Sequence, residues 1–391
     1  MQKPIFNWLD HRASCVLLHP TSLHGDYGIG TLNDHCQEFI DFLSDAGFTY
    51  WQVCPLGPTG FGYSPYQSFS SFAGNPNLIS LEAMADHGLL DPAILEDLST
   101  LPKSIVDYGA LFNAKWPILN AIYNTYIKNS SIELPYGDFD KFCSQEASWL
   151  EPFAFFQALK SNFKGAPWRQ WPAKYRDYEK AIKAPTPEKL VHEIEAQKFY
   201  QYLFFGQWRR IRDHAASKGV RIIGDIPIFV ALDSADVWQN QSYFQIDPKT
   251  SDPIAVAGCP PDYFSEDGQY WGNPLYDWQA HENDSYSWWI ERLKASFKMH
   301  DVVRIDHFRG FDSYWSIPYG SETAREGEWV DGPGTGVSDS IPARLSDGEF
   351  VMTKKATDQM GADNLQMMMD DAERAFDGGE MRSPKQEGGM M

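Results

Sequence analysis

The stretch DVVRIDHFRG, residues 301–310, sets Arg304 and Asp306 two positions apart inside an apolar run. On a strand such residues share a face at a Cα separation of roughly 7 Å, so their side chains can meet. A guanidinium there favours the ionised form of a carboxylate, and an ionised carboxylate at a strand end is a nucleophile. The same pair also serves as a structural ion pair tying strands together, and this strand taken alone does not choose between the two uses. A second aspartate, Asp225, holds the corresponding late position of VRIIGDIPIFV, residues 220–230. Two strand-end aspartates beside ring-rich loops point towards glycosyl chemistry.

The elements that must position these residues follow from the apolar patterning. SCVLLHP, residues 14–20, is a short apolar run, followed by the Gly-rich loop TSLHGDYGIG, a helical pattern, HCQEFIDFLSDAG, stopping at Gly47, and a second run, YWQVCPLGP. This is a β-loop-α-β unit, which requires parallel strands. The loop TGFGYSPYQSFSSFAGNPNLIS that follows has the Gly, Pro, Ser and aromatic content of a ligand loop. Residues 82 to about 215 show helical patterns, such as WLEPFAFFQALKSNF, and no further buried strand. VRIIGDIPIFV supplies a third strand, ALDSADVWQNQ through GCPPDYFSEDGQYWGNPLYDW reads as loop, and a helix near 285–299 leads into the fourth strand at 301. Short apolar strands separated by helices, with long loops after the strands, favour an α/β TIM-type barrel over a doubly wound sheet. No G-x-G-x-x-G or G-x-x-x-x-G-K-[ST] follows the first strand, which counts against nucleotide binding.

Composition narrows the partners. The chain has 391 residues, 43% of them hydrophobic, which suffices for one large barrel or two ordinary domains. A formal net charge of −20 repels phosphates, so neither nucleic acid nor an anionic membrane is an expected partner. Aromatic residues reach 15%, with 14 Trp and 19 Tyr; most of these rings are expected in the core, and those in Gly- and Pro-rich loops offer flat faces to sugars. The five cysteines, at 15, 36, 54, 143 and 259, are odd in number and lack a C-x-x-C, which indicates neither a disulfide framework nor a zinc site. The N-terminus has no leader-like pattern and no run approaches membrane-spanning length, so a soluble cytoplasmic protein is expected.

Five long motifs, in order, carry a family resemblance: HPTSLHGDYGIG, WQVCPLGPTGFGYSPYQSFSSFAGNPNLI, GDIPIFVALDSADVW, GCPPDYFSEDGQYWGNPLYDW and VVRIDHFRGFDSYWSIP. From about residue 5 to residue 334 the chain resembles the 4-alpha-glucanotransferases, also called amylomaltases or disproportionating enzymes. The resemblance implies a (β/α)8 TIM-type barrel of the α-amylase-like kind with helical insertions. It implies a retaining transfer of a 1,4-α-glucan segment to an acceptor sugar through a covalent glucosyl-enzyme. Asp306 would be the nucleophile and Arg304 the residue positioning it. His307 and Asp225 would touch the sugar next to the cleaved bond, Tyr66 would stack on that ring, and Gln269 and Trp271 would lie in a loop covering the glucan. Without the resemblance His307 reads as a hydrogen-bonded strand-end histidine, Tyr66 and Trp271 as pins for their loops, and Gln269 as a surface residue. The scheme needs no metal or organic cofactor, and the expected partners are maltooligosaccharides or other α-1,4-glucans.

A retaining enzyme holds its two carboxyl groups roughly 5 to 5.5 Å apart, so a second acid is required. In the family it comes from a motif like A-E-D-L-G, with a later T-H-D aspartate stabilising the transition state; neither motif occurs in this sequence. Glu349, Glu326 and Glu328 are weak substitutes, better read as turn or surface residues. Beyond Gly334 the chain resembles, through SDSIPARLSDGEFVMT, the C-terminal segment of certain tailed-phage proteins, and NLQMMMDDAERAF reads as an amphipathic helix. The expected organisation is therefore a barrel cut after about four strands, in 1–81 and 216–334, with a mostly helical insertion and return helix in 82–215 and an unrelated tail in 335–391. Such a half-barrel would have unpaired edges and an exposed interior, and would self-associate unless covered. Two other readings stay open: a non-catalytic chimera that at most binds maltooligosaccharides, and an α-glucan hydrolase.

Overall fold

A computed structural model describes residues 12–129 and 131–333 of the chain. The chain divides into a large unit, Met1–Phe308 with Trp315–Trp329, and a small one, Arg309–Tyr314 with Val330–Met391. In the described part of the small unit, the Gly332 N–H donates to the Asp312 carbonyl at 2.7 Å.

The strands in chain order are β1 (Cys15–Leu17), β2 (Tyr50–Gln52), β3 (Arg221–Pro227), β4 (Ala255–Cys259), β5 (Gln269–Pro274), β6 (Val302–Asp306), β7 (Ser313–Pro318) and β8 (Glu328–Asp331). The four strands expected from the apolar runs form one sheet in the order β1-β2-β3-β6, every pairing parallel. Trp51 of β2 and Ile222 of β3, paired in register, are fully buried on one face of this sheet, while Leu17 of β1 is 61% exposed. At Gly224 a Cβ would overlap the His300 ring, so only glycine lets β3 lie this close to the residue that precedes β6.

Helices supply the cover. The helix Asp34–Asp45, between β1 and β2, buries Cys36, Ile40 and Leu43 at i, i+4 and i+7. It stops as expected at Gly47, whose φ is +80°, and the Phe48 N–H returns to the Leu43 carbonyl at 2.8 Å. Between β2 and β3 every described regular element is helical; the long ones are Tyr108–Lys128, Phe139–Asn162 and Glu188–Ser217. The last of these leads into β3, and its buried Trp208 packs 6.3 Å from Trp51, joining helix and sheet in one core. The helix Ser287–Met299 delivers the chain to β6.

A second four-stranded sheet, in the order β5-β4-β7-β8 and antiparallel at the β4–β5 and β4–β7 pairings, was not expected. The region read as loop between β3 and the helix before β6 contains β4 and β5. Their sequences, AVAGC and QYWGNP, are rich in small residues, Gly and Pro, and lack the alternation that marks a strand. Close backbone approach specifies them instead: a Cβ at Gly258 would overlap the Gln269 carbonyl oxygen and Ile317. Val256, Ile317 and Ala324 form a small buried cluster with Trp315 against it. No helix among the described residues is long and apolar enough to cross a membrane.

Candidate active site

The register of β3 on β6 sets Asp225 opposite Arg304 and Pro227 opposite Asp306. Paired residues on neighbouring strands lie about 4.8 Å apart and share a face, so Arg304 can reach across to Asp225 and along its own strand to Asp306. It does both. Nη1 donates to the two carboxylate oxygens of Asp225 at 2.8 and 2.7 Å, and Nη2 donates to Asp306 Oδ1. The Tyr66 hydroxyl donates to Asp225 Oδ2 at 2.8 Å.

The two aspartates differ in burial. Asp225 is 3% exposed, beneath Arg304 and Tyr66, while the Asp306 side chain is 38% exposed. A buried carboxylate is tolerable only when paired and hydrogen-bonded, and Asp225 meets both conditions. Its effect is to fix the guanidinium, which in turn fixes Asp306. Burial lowers the Arg304 pKa, but hydrogen bonds and charge from Asp225 and Asp306 outweigh it and the net shift is upward. Burial first, then the bond to Asp225, raises the Tyr66 phenol, so it stays protonated and donating. Cys54, just beyond β2, is also raised, by burial and then by the charge of Asp225, against its interaction with the Tyr66 hydroxyl and the charge of Arg304.

Asp306 opens into a cleft of about 310 Å³, whose walls include Tyr66, Phe229, Gln269, Trp271 and His307. That volume is at the lower end of ordinary small-molecule sites. Five of the seven residues singled out from the sequence therefore meet on one cleft, and the other two, Arg304 and Asp225, are tied to Asp306 by the hydrogen bonds of the guanidinium. Gln269 and Trp271 were expected in a loop; they sit on β5, two apart and so on one face, with Trp271 Nε1 donating to Gln269 Oε1 at 3.0 Å. The Trp271 ring meets His307 edge to face at 4.9 Å and 89°. His307 has a φ of +53°, a left-handed conformation uncommon outside glycine, which turns the chain sharply off β6 directly after Asp306.

Two participants were not identified from the sequence. Gln67 Nε2 donates to Asn273 Oδ1 at 3.0 Å and to the Trp271 carbonyl at 3.4 Å, tying the loop after β2 to β5. Both residues flank chosen ones, in SPYQ and WGNP, which was the available signal. Glu326 and Glu328 are exposed and do not line the cleft, and Glu349 lies outside the described residues. Among the described residues that line the cleft, Asp306 is the one carboxylate.

Comparison with known proteins bears on this arrangement. A family model described as 4-alpha-glucanotransferase matches residues 18–377, continuing past Gly334, where the motifs recognised in the sequence end. The 4-alpha-glucanotransferase of Thermus thermophilus is 48% identical over 323 residues, covering 83% of this chain and 63% of that protein. The enzyme of the same name from Clostridium butyricum is 43% identical over 337 residues, covering 85% and 68%. Amylomaltase from Streptococcus agalactiae, solved in complex with acarbose, superposes with a TM-score of 0.78 at 39% identity over 83% of this chain and 65% of that one. The chain thus spans about two thirds of the length of the relatives it matches. With a family model spanning most of its length and relatives of this identity, the chain belongs to the 4-alpha-glucanotransferase family.

Proposed function

We propose that this chain acts on α-1,4-linked glucans as a 4-alpha-glucanotransferase, with Asp306 as nucleophile. The observation that carries the reading is the Arg304 bridge, which anchors on buried Asp225 and holds the exposed Asp306 at the floor of a ring-lined cleft. Asp306 Oδ1 takes the guanidinium hydrogen bond, and Oδ2 attacks the anomeric carbon. The bond to the leaving glucan oxygen breaks and a glucosyl ester forms; the proton that this oxygen takes must come from a second acid, which is not among the described lining residues. The 4-hydroxyl of an acceptor sugar then displaces Asp306 and returns its proton to the conjugate base of that second acid, restoring the original anomeric configuration. Trp271, Tyr66 and Phe229 offer ring faces and edges to the apolar faces of the sugars, and Gln269 and His307 offer polar atoms to their hydroxyls.

We read β1, β2, β3 and β6 as consecutive strands of a (β/α)8 barrel, with 82–215 as an insertion and return helix; the tail expected in 335–391 lies outside the described residues. Their all-parallel pairing, with a helix leading directly into each of β2, β3 and β6, supports this, and in such barrels the carboxyl ends of the strands, where Asp306 sits, carry the site. A second reading is binding without turnover, favoured by the lone carboxylate among the described lining residues. Incubating the full chain with maltotriose distinguishes the readings. Shorter and longer oligomers together mean transfer, and new reducing ends without longer products mean hydrolysis. Binding of acarbose with no product at all means a binder, and would overturn the transferase reading.

A further inference from the structure

Away from this cleft, the loop leaving β1 and the first turn of the helix Asp34–Asp45 bring three potential metal ligands together. One ligand atom from each of His24, Asp26 and His35 lies within 4.8 Å of the others. His24 Nε2 is 3.6 Å from Asp26 Oδ1, and His35 Nε2 is 3.6 Å from Asp26 Oδ2. That is too long for a good hydrogen bond. It is within a few tenths of an ångström of the roughly 3.3 Å that separates two ligands bound about 2.05 Å from one tetrahedral cation. The two imidazoles meet edge to face at 4.9 Å.

A fourth residue supplies an independent indication. His35 Nδ1 lies 3.0 Å from Glu38 Oε2, one helical turn away. With its ring proton on Nδ1, as ligation through Nε2 requires, His35 keeps this bond to Glu38, which is the carboxylate–histidine pairing that orients metal-binding imidazoles. Two imidazoles and one carboxylate suit borderline divalent ions rather than calcium or magnesium, which prefer all-oxygen sets. The side chains of His24, Asp26 and His35 are 62%, 45% and 33% exposed, so an ion can enter and complete its shell with water.

We propose that His24, Asp26 and His35 form a binding site for a divalent transition-metal ion of the zinc type, with Glu38 as a positioning residue for His35. Lys103 Nζ holds Asp26 Oδ1 at 3.2 Å; an ion entering through Oδ2 keeps that contact, and one taking both oxygens displaces it. Either way the ion cross-links the loop after β1 to the following helix. The site shares no residue with the Asp306 cleft and is independent of the glucan chemistry.

The test uses the untagged full chain, stripped with a chelator and titrated with Zn²⁺ by calorimetry and with Co²⁺ by absorption. One equivalent of each should bind, the cobalt spectrum should lack a thiolate charge-transfer band, and Zn²⁺ should raise the melting temperature. Circular dichroism and metal-free melting should show that the His24→Ala/His35→Ala double variant folds like the parent, and that variant should lose the equivalent. Glu38→Gln should keep it with about tenfold weaker affinity. Absence of stoichiometric binding overturns the proposal, as does a thiolate band or binding unchanged in the double variant.

Discussion

Asp306 and Asp225 are the same residue type on adjacent parallel strands, and their surroundings separate their roles. Asp225 is enclosed by Arg304 and Tyr66, and Asp306 faces the cleft. If Asp306 is the nucleophile as proposed, Asp306→Asn, which keeps the size but removes the charge, should lower transfer from maltotriose by about 10³-fold or more while acarbose affinity changes by less than about tenfold. Product chromatography and calorimetry on the same sample check both. Tyr66→Phe acts differently, because it withdraws one hydrogen bond from a buried carboxylate. Urea unfolding should report a loss of about 1–2 kcal/mol, with a much smaller drop in transfer than in Asp306→Asn.

At the scale of elements, β5 reaches the site through a backbone contact elsewhere. Gly258 on β4 accepts the Gln269 carbonyl where a methyl group would stand, so Gly258→Ala should push β5 outward at the residues that carry Gln269 and Trp271. The expected outcome is a stability loss of about 1–3 kcal/mol in a thermal melt and weaker binding of maltooligosaccharides. The parallel strands were legible in the sequence because they are short, near-continuous apolar runs bounded by turn residues. β4 and β5 were not, since Ala, Gly and Pro carry no alternating signal and the fit of backbone to backbone appears only in three dimensions. The spacing of Arg304 and Asp306 was readable for a similar local reason: residues two apart on a strand share a face. That Asp225 lies in register with Arg304, and that Tyr66 bonds to it from 159 residues away, are properties of strand pairing and loop path that no local pattern encodes. The individual roles proposed for these residues rest on the likeness of long motifs.

For the whole molecule, buried histidines set an acid limit. Burial lowers His300 to about 4, against its hydrogen bond with the Ser296 carbonyl, and lowers His19 to about 4, against a backbone bond at Cys54. Both folded values lie below the unfolded 6.5, so the stability these groups contribute is complete above pH 6.5 and is lost as pH falls towards 4. Asp236 runs the other way. Burial raises it to about 6 from 3.8, against a hydrogen bond from the Ser71 N–H, so its contribution is complete below 3.8 and is lost as pH rises through 6, partly offsetting the histidines. Removing one histidine by His300→Gln should flatten the fall in unfolding free energy between pH 6.5 and 4 by up to about 1.4 kcal/mol per pH unit, read from urea titrations at several pH values. On the proposed glucan-binding reading, charge also shapes which sugars the cleft admits. Arg304 is one guanidinium shared by two carboxylates, so the floor of the cleft carries a formal surplus of one negative charge within a chain of net −20. Starch is not chemically uniform, and a glucan bearing phosphate esters enters against that field while an amino-sugar analogue enters with it. Competition assays at low and high salt should rank the amino sugar above the neutral oligosaccharide and the phosphorylated one below both, with the spread narrowing as salt screens the floor.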